Sequence, residues 1–269
     1  MKIHRDGHVH TPFCPHGSLD SFKKYIERAI KENLSTITFT EHAPLPAGFE
    51  DPVPTKDSAM SLADLSAYVE EIETYKKEYR NDITILTGLE IDYIEGFEEE
   101  TRAFLDQVGH LLDDSILSVH FLKTGNEYTC LDYSPESFQT LIKKTGSLED
   151  TVNLYFKTVL LSIESNLGTH KPKRIGHITL VRKFHHEFPV VLDENKIMDL
   201  LDSLHERGME LDYNGAGTAK PLCREPYPPD HIVKEAKKRG IPLIYGSDAH
   251  QAKDMMQGLE TMIPISRES

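Results

Sequence analysis

The chain has 269 residues, 38% hydrophobic and 28% charged, enough apolar material to bury the core of one α/β barrel. A formal net charge of -14 argues against a nucleic-acid groove, because such binding runs on phosphate neutralisation by Lys and Arg; a phosphorylated small substrate stays open, since clustered cations set a local positive field. No apolar run approaches the roughly 20 residues that span a bilayer, the three widely spaced cysteines suggest neither a disulfide framework nor a CxxC site, and the MKIHRDGHVH start has no apolar signal region, so a cytoplasmic protein without membrane or nucleic-acid partners is expected.

Apolar runs and helical periodicities alternate along the chain. IHRDGHVHT at 3–11 reads as a strand, followed by a helix over 19–32 with Phe22, Ile26 and Ile30 on one face. β-Branched STITFT at 35–40 gives a second strand, and 61–79 a helix with Leu62, Leu65, Val69 and Ile72 aligned. Strands at 83–91 and 115–121 flank a short helix at 98–108. The connection 123–173 holds two helical patterns, one opened by Ser134 as N-cap with Pro135 at the first helical position. Strand 174–180, helix 194–207 before Gly208, strand 209–214, helix 229–239 before Gly240 and strand 241–248 follow, with a last helix expected over 252–261. No repeat or composition shift marks a boundary, so residues 1–269 read as a single domain. Seven βα-type units predict a parallel sheet, and closure as a barrel puts functional side chains at the strand C-terminal ends.

The titratable residues fall at those ends. The first strand finishes in His8-x-His10, and its following turn carries His16. The second ends in Glu41-His42, the third in Glu90, the fourth in His120. The fifth carries His177 and the seventh Asp248 and His250; the sixth, ending in Asn214, is the exception. Residues i and i+2 of a strand share a face, so His8 and His10, or Asp248 and His250, can grip one ion. A single HxH pair or strand histidine is ordinarily a core or surface residue. Here half of the 14 histidines fit one pattern, which converts coincidence into a candidate metal site. Imidazole with carboxylate suits Zn, Mn, Fe or Co, and Glu90, in the middle of the set, is the natural bridging ligand. Such a centre suits hydrolysis of an anionic ester.

Around this set, Glu41 can orient an imidazole, and Cys14 reads as a small packing residue beside the site. His4, His110, His170, His185, His186, His205 and His231 default to structural or surface roles. Arg182 and Arg224 lie in loops after the fifth and sixth strands, on the expected catalytic face, and guanidinium forks match phosphate oxygens.

The series Asp6-Gly7-His8-Val9-His10-Thr11, Cys14-Pro15-His16-Gly17, Glu41-His42, Gly88-Leu89-Glu90, Ser118-Val119-His120, Gly176-His177 and Gly246-Ser247-Asp248-Ala249-His250 resembles the motif series of the polymerase-and-histidinol-phosphatase (PHP) superfamily. The His177…Arg182-Lys183-Phe184 and Asn214…Arg224-Glu225…Tyr227-Pro228 segments are similar to its stand-alone phosphatase branch. That resemblance implies a distorted (β/α)7 TIM-like barrel with two or three divalent metals. It implies one metal on His8, His10, Glu90 and Asp248, a second on Glu90, His120 and His177, and a third on His16, His42 and His250. It further implies phosphate binding by Arg182 and Arg224, and hydrolysis of L-histidinol phosphate to L-histidinol and phosphate in histidine biosynthesis. Asp248 and His250 are the candidates for proton transfer to the leaving alkoxide. The alternatives are another PHP phosphoesterase, acting on a nucleotide or phosphoprotein, and a non-catalytic metal-binding protein.

Overall fold

The computed structural model describes residues 3–265. Its first part alternates strictly: β1 (Arg5–Val9), α1 (Phe22–Lys31), β2 (Thr36–His42), α2 (Leu65–Glu78), β3 (Thr84–Asp92), α3 (Glu98–Val108) and β4 (Ile116–Ser118). A two-stranded antiparallel hairpin follows, β5 (Phe121–Thr124) and β6 (Glu127–Cys130), then α4 (Pro135–Thr145) and α5 (Leu148–Glu164). The alternation resumes with β7 (Arg174–Ile175), α6 (Glu194–Glu206), β8 (Glu210–Asn214), α7 (Ala216–Ala219), α8 (Asp230–Lys238) and β9 (Leu243–Gly246).

Seven strands pair in parallel in the order β1-β2-β3-β4-β7-β8-β9. The two edges meet. Val9 bridges Ala249 in parallel, Asp248 N donates to His8 O at 2.7 Å, and Ser247 N donates to the Asp6 carboxylate at 2.9 Å. The sheet is therefore a nearly closed barrel, as the alternation predicted. Helices wrap it with their apolar faces inward: Phe22, Tyr25, Ile26 and Ala29 of α1 are all buried. In α2, the Tyr68 hydroxyl sits between the carbonyls of Phe39 and Gly88, 3.0 and 2.7 Å away, and ties the helix to β2 and β3.

The barrel floor is polar. Arg174 is fully buried, donates to Gly7 O at 2.9 Å and pairs with Asp114, which Arg5 shares. A Cβ on Gly7 would stand 2.2 Å from an Arg174 nitrogen, so the glycine of the first motif makes room for this plug.

Three expectations change. The strand expected over 115–121 breaks after Ser118, because the chain turns through Val119-His120 into the β5–β6 hairpin. The strand expected over 174–180 keeps only Arg174–Ile175. There Tyr155 of α5 donates to His177 O at 3.1 Å and accepts from Leu180 N at 3.2 Å, curling the chain into a 3-10 turn at Leu180–Arg182. The helix expected over 252–261 is a 3-10 turn at Ala252–Asp254 only, since Met255 is extended and Met256 (φ 70°) and Gly258 (φ 84°) are left-handed. Caps behave as expected: Ser134 accepts from Ser137 N at 3.1 Å, and Gly208 and Gly240 take positive φ. No helix among the described residues is long and apolar enough to cross a membrane.

Candidate metal centre

The strand ends bring His8, His10, His42, Glu90, His120, His177, Asp248 and His250 together with His16 at the mouth of one cleft. Parallel register sets His42 directly beside Glu90. Glu90 is the hub. Its Oε1 lies 3.0 Å from His177 Nε2 and 3.7 Å from His120 Nε2; its Oε2 lies 3.1 Å from His42 Nδ1, 3.4 Å from His8 Nε2 and 3.6 Å from His10 Nε2. Ser118 donates to Oε1 at 2.7 Å and fixes the carboxylate.

Most of the imidazoles are anchored on the side away from this hub. His8 Nδ1 meets Asp212 at 2.9 Å, His10 Nδ1 meets Glu41 at 3.1 Å, and His120 Nδ1 meets Asp92 at 2.7 Å. His16 and His250 turn their Nδ1 atoms to the carbonyls of Asp57 and Asp248, at 2.7 and 3.1 Å. A carbonyl can only accept, so both Nδ1 atoms carry the proton. Their Nε2 atoms face each other at 3.2 Å. That spacing suits two ligands of one cation. His8 Nε2 and His42 Nδ1 are also buried without a hydrogen-bond partner. The donor chemistry, the backing carboxylates and these orphaned nitrogens fit divalent metal ions. Among the described residues four groups have ligand atoms mutually within 4.8 Å, and three of them lie here: His8, His10 and Asp248; Glu90, His120 and His177; and His10, Cys14, His42 and His250; the fourth, His185, Cys223 and Glu225, lies beside Arg182.

Electrostatics tell the same story. Burial alone would push the His8 imidazole down, yet Glu90, Asp248 and Asp212 raise it to about 10. Burial likewise opposes protonation of His120, but Asp92 and Glu90 raise it to about 10. Against burial, His8, His120 and His42 hold Glu90 well below the usual carboxylate range. Burial and His10 hold His250 neutral. The pocket's excess of buried carboxylate calls for positive charge.

A cleft of about 470 Å³ opens over these groups, lined also by Asp57, Asp132, Lys183, Lys220, Tyr133, Gln251 and Asp254. The connection 123–173 builds one wall: Asp132, just past β6, pairs with Lys183 at 2.8 Å. Lys183 and His120 hold the Asp132 carboxyl low although burial favours the neutral form.

The arginines stand elsewhere. Arg182 donates to Val190 O at 2.6 Å and pairs with Glu225, with His185 3.3 Å from its guanidinium. Arg224 is exposed, left-handed at φ 61°, and donates to Pro221 O at 3.1 Å. Neither lines the cleft. Lys183, one residue beyond Arg182, does. Sequence reasoning missed Lys183, Asp92, Asp132 and Asp212, and set Asn214 aside. Asn214 in fact donates to Asp212 at 3.1 Å and to Asp248 at 3.2 Å. The period-2 rule held a signal for two of these, since Asp92 follows Glu90 and Asp212 precedes Asn214 by two residues.

A parallel barrel that gathers backed imidazoles and a hub carboxylate at its strand C-terminal ends is a metal-dependent enzyme scaffold. The chain belongs to the PHP domain family, whose model matches residues 6–216. It is 50% identical over 262 residues to a histidinol-phosphatase of Bacillus subtilis, covering 96% of this chain and 98% of that protein. The crystal structure of hisK of Listeria monocytogenes superposes with a TM-score of 0.91 at 37% identity, over 96% of this chain and 99% of that one. A histidinol phosphate phosphatase from Lactococcus lactis, complexed with zinc, L-histidinol and phosphate, shares the fold at 22% identity and TM-score 0.72, over 92% of this chain and 86% of that one.

Proposed function

We propose that this chain hydrolyses the phosphomonoester L-histidinol phosphate to L-histidinol and phosphate, as a histidinol-phosphatase of histidine biosynthesis. The observation that carries the reading is the set of ring nitrogens turned on Glu90 and on one another beneath a cleft, in a chain half identical to a histidinol-phosphatase. Residues 1–269 act as one metallophosphoesterase domain, supported by the direct seam between β1 and the segment after β9. The proposed ligands are His8, His10, Glu90 and Asp248 for one ion, Glu90, His120 and His177 for a second, and His16, His42 and His250 for a third. Zn, Mn, Fe and Co all suit this nitrogen and oxygen set. When bound, such ions lower the pKa of water toward neutrality and neutralise phosphoryl oxygens.

The chain's own residues supply the rest. Lys183 and Lys220 add positive charge to the cleft for the phosphate. Exposed Arg224, and Arg182 once released from Glu225, are the guanidinium candidates, each needing its loop to swing toward the cleft. The leaving alkoxide needs one proton, the one that the attacking water gives up, and Asp248 or His250, 17% and 27% exposed, is the candidate to pass it on. Attack runs in line at phosphorus, and positioning with charge neutralisation lowers the barrier. A small metabolite substrate in the cytoplasm accords with the -14 net charge.

The test is phosphate release from a panel of phosphorylated metabolites, run with Zn, Mn, Fe and Co in turn. L-Histidinol phosphate is expected to show the highest kcat/KM. Preference for a mononucleotide or phosphopeptide, or bound metal without any turnover, overturns the reading.

A further inference from the structure

The cleft is lined by six carboxylates, and five of them are engaged. Glu90 faces histidines, Asp92 meets His120, Asp132 meets Lys183, Asp248 meets His10, and Asp57 accepts from Thr55. Asp254 is different. Its backbone closes the 3-10 turn, with N donating to Gln251 O at 2.9 Å and O accepting from Gln257 N at 3.2 Å. Its half-buried carboxylate has no hydrogen bond or ion pair among the described residues, yet it lines the cleft. Beside it, the Gln251 side chain also lines the cleft without a protein partner.

An unpaired carboxylate has no use for a phosphate. It repels the dianion, and the lysines and the metal-ligand cluster already provide for that end of the substrate. Asp254 follows His250 by four residues, so it stands within about 14 Å of the reacting end by chain reach alone. Both residues line the one cleft. We propose that Asp254 is a specificity-determining residue that binds the primary ammonium of the substrate's alcohol portion, with the Gln251 amide as a polar neighbour. The inference rests on the phosphomonoesterase reading above and adds to it the feature by which an amino-alcohol phosphate is chosen over a neutral one. A charge-assisted bond in a partly desolvated cleft discriminates by about ten- to hundredfold.

The test compares wild type with D254N and D254A, each metal-loaded, on L-histidinol phosphate and on its des-amino analogue, 3-(imidazol-4-yl)propyl phosphate. The readout is the ratio of kcat/KM between the two substrates, with KM and kcat resolved. The wild-type ratio is expected to favour the amine and to collapse by about tenfold or more in both variants, through KM, with D254E restoring part of it. A ratio that survives both substitutions overturns the inference, as does equal loss on both substrates. A wild type that fails to hydrolyse L-histidinol phosphate overturns the parent reading, a distinct result.

Discussion

Asp212 is a sharp test of how the centre is held together. Its Oδ2 takes His8 Nδ1 at 2.9 Å and Asn214 Nδ2 at 3.1 Å, while Oδ1 is buried with no partner. In Asp212→Asn the amide oxygen still receives both donors, but the charge is gone and the new amide NH2 falls where Oδ1 was unsatisfied. Replacing a charge-assisted bond with a neutral one costs about 1–1.5 kcal/mol, and the stranded amide adds about 1 kcal/mol or more. A total of about 2–3 kcal/mol corresponds to roughly 30- to 150-fold, close to what loss of a carboxylate behind a metal-binding histidine does to affinity. The assay is chelator competition monitored by metal content and by phosphatase activity. The midpoint should shift by about that factor, and kcat should recover largely at saturating metal. An unshifted midpoint, or an activity loss that added metal leaves in place, refutes the idea that Asp212 acts by aligning His8.

Other consequences are checkable in the same preparation. Stripping metal with a chelator should abolish turnover and lower the melting temperature, and re-addition should restore both; a cation at a thousand times its Kd contributes about 4 kcal/mol. Lys183→Met, made with Asp132→Asn so that no buried carboxylate is stranded, should weaken inorganic phosphate inhibition by about tenfold. If Arg182→Ala or Arg224→Ala has that effect and the double variant does not, the phosphate contact belongs to the arginine loops. Gly176→Ala sets a Cβ 2.1 Å from Ser118 Oγ, the donor that fixes Glu90, so it should cost about 1–3 kcal/mol by denaturant melt and reduce metal content. Lys171 is lowered to about 8 by burial and by Arg207. Its folded pKa lies below the unfolded value, so its charge penalises folding below about 8 and the penalty lifts as pH rises toward 10.5. Wild type should therefore gain stability relative to Lys171→Met between pH 8 and 10, read from denaturant midpoints; a pH-independent difference contradicts the burial argument.

How much of this could be read in the sequence differs by kind of residue. The ligand candidates were legible because strand periodicity and barrel topology both constrain strand ends, so His8, His10, Glu90 and Asp248 each had one place to go. The anchors behind them were harder. Asp92 and Asp212 look like ordinary acids until the register shows which imidazole they face. Glu41 was legible as an orienting group through its adjacency to His42, although the ring it holds is His10. Lys183 and Arg182 are neighbours of like charge, and only the 3-10 turn pinned by Tyr155 decides which one looks into the cleft. Short strands were misjudged for a similar reason. The apolar content of 174–180 signals burial, but burial inside a tight turn has the same composition as burial in a strand.

The seam between β1 and the segment after β9 has a consequence for how the molecule comes into being. Ser247 and Asp6, joined there by a hydrogen bond, lie 241 positions apart. During vectorial synthesis the first histidine pair precedes Asp248 by 240 positions and waits for that stretch of chain before Asp248 can meet it. Contacts of such separation carry the largest loop-closure entropy, so they form late and slow the final step. A cation held by the proposed His8, His10 and Asp248 set would be a clasp across this seam as well as a reagent. It would lock the two edges of the sheet together, and its loss should open the barrel first at this join, which amide exchange in β1 and β9 will register before any other strand.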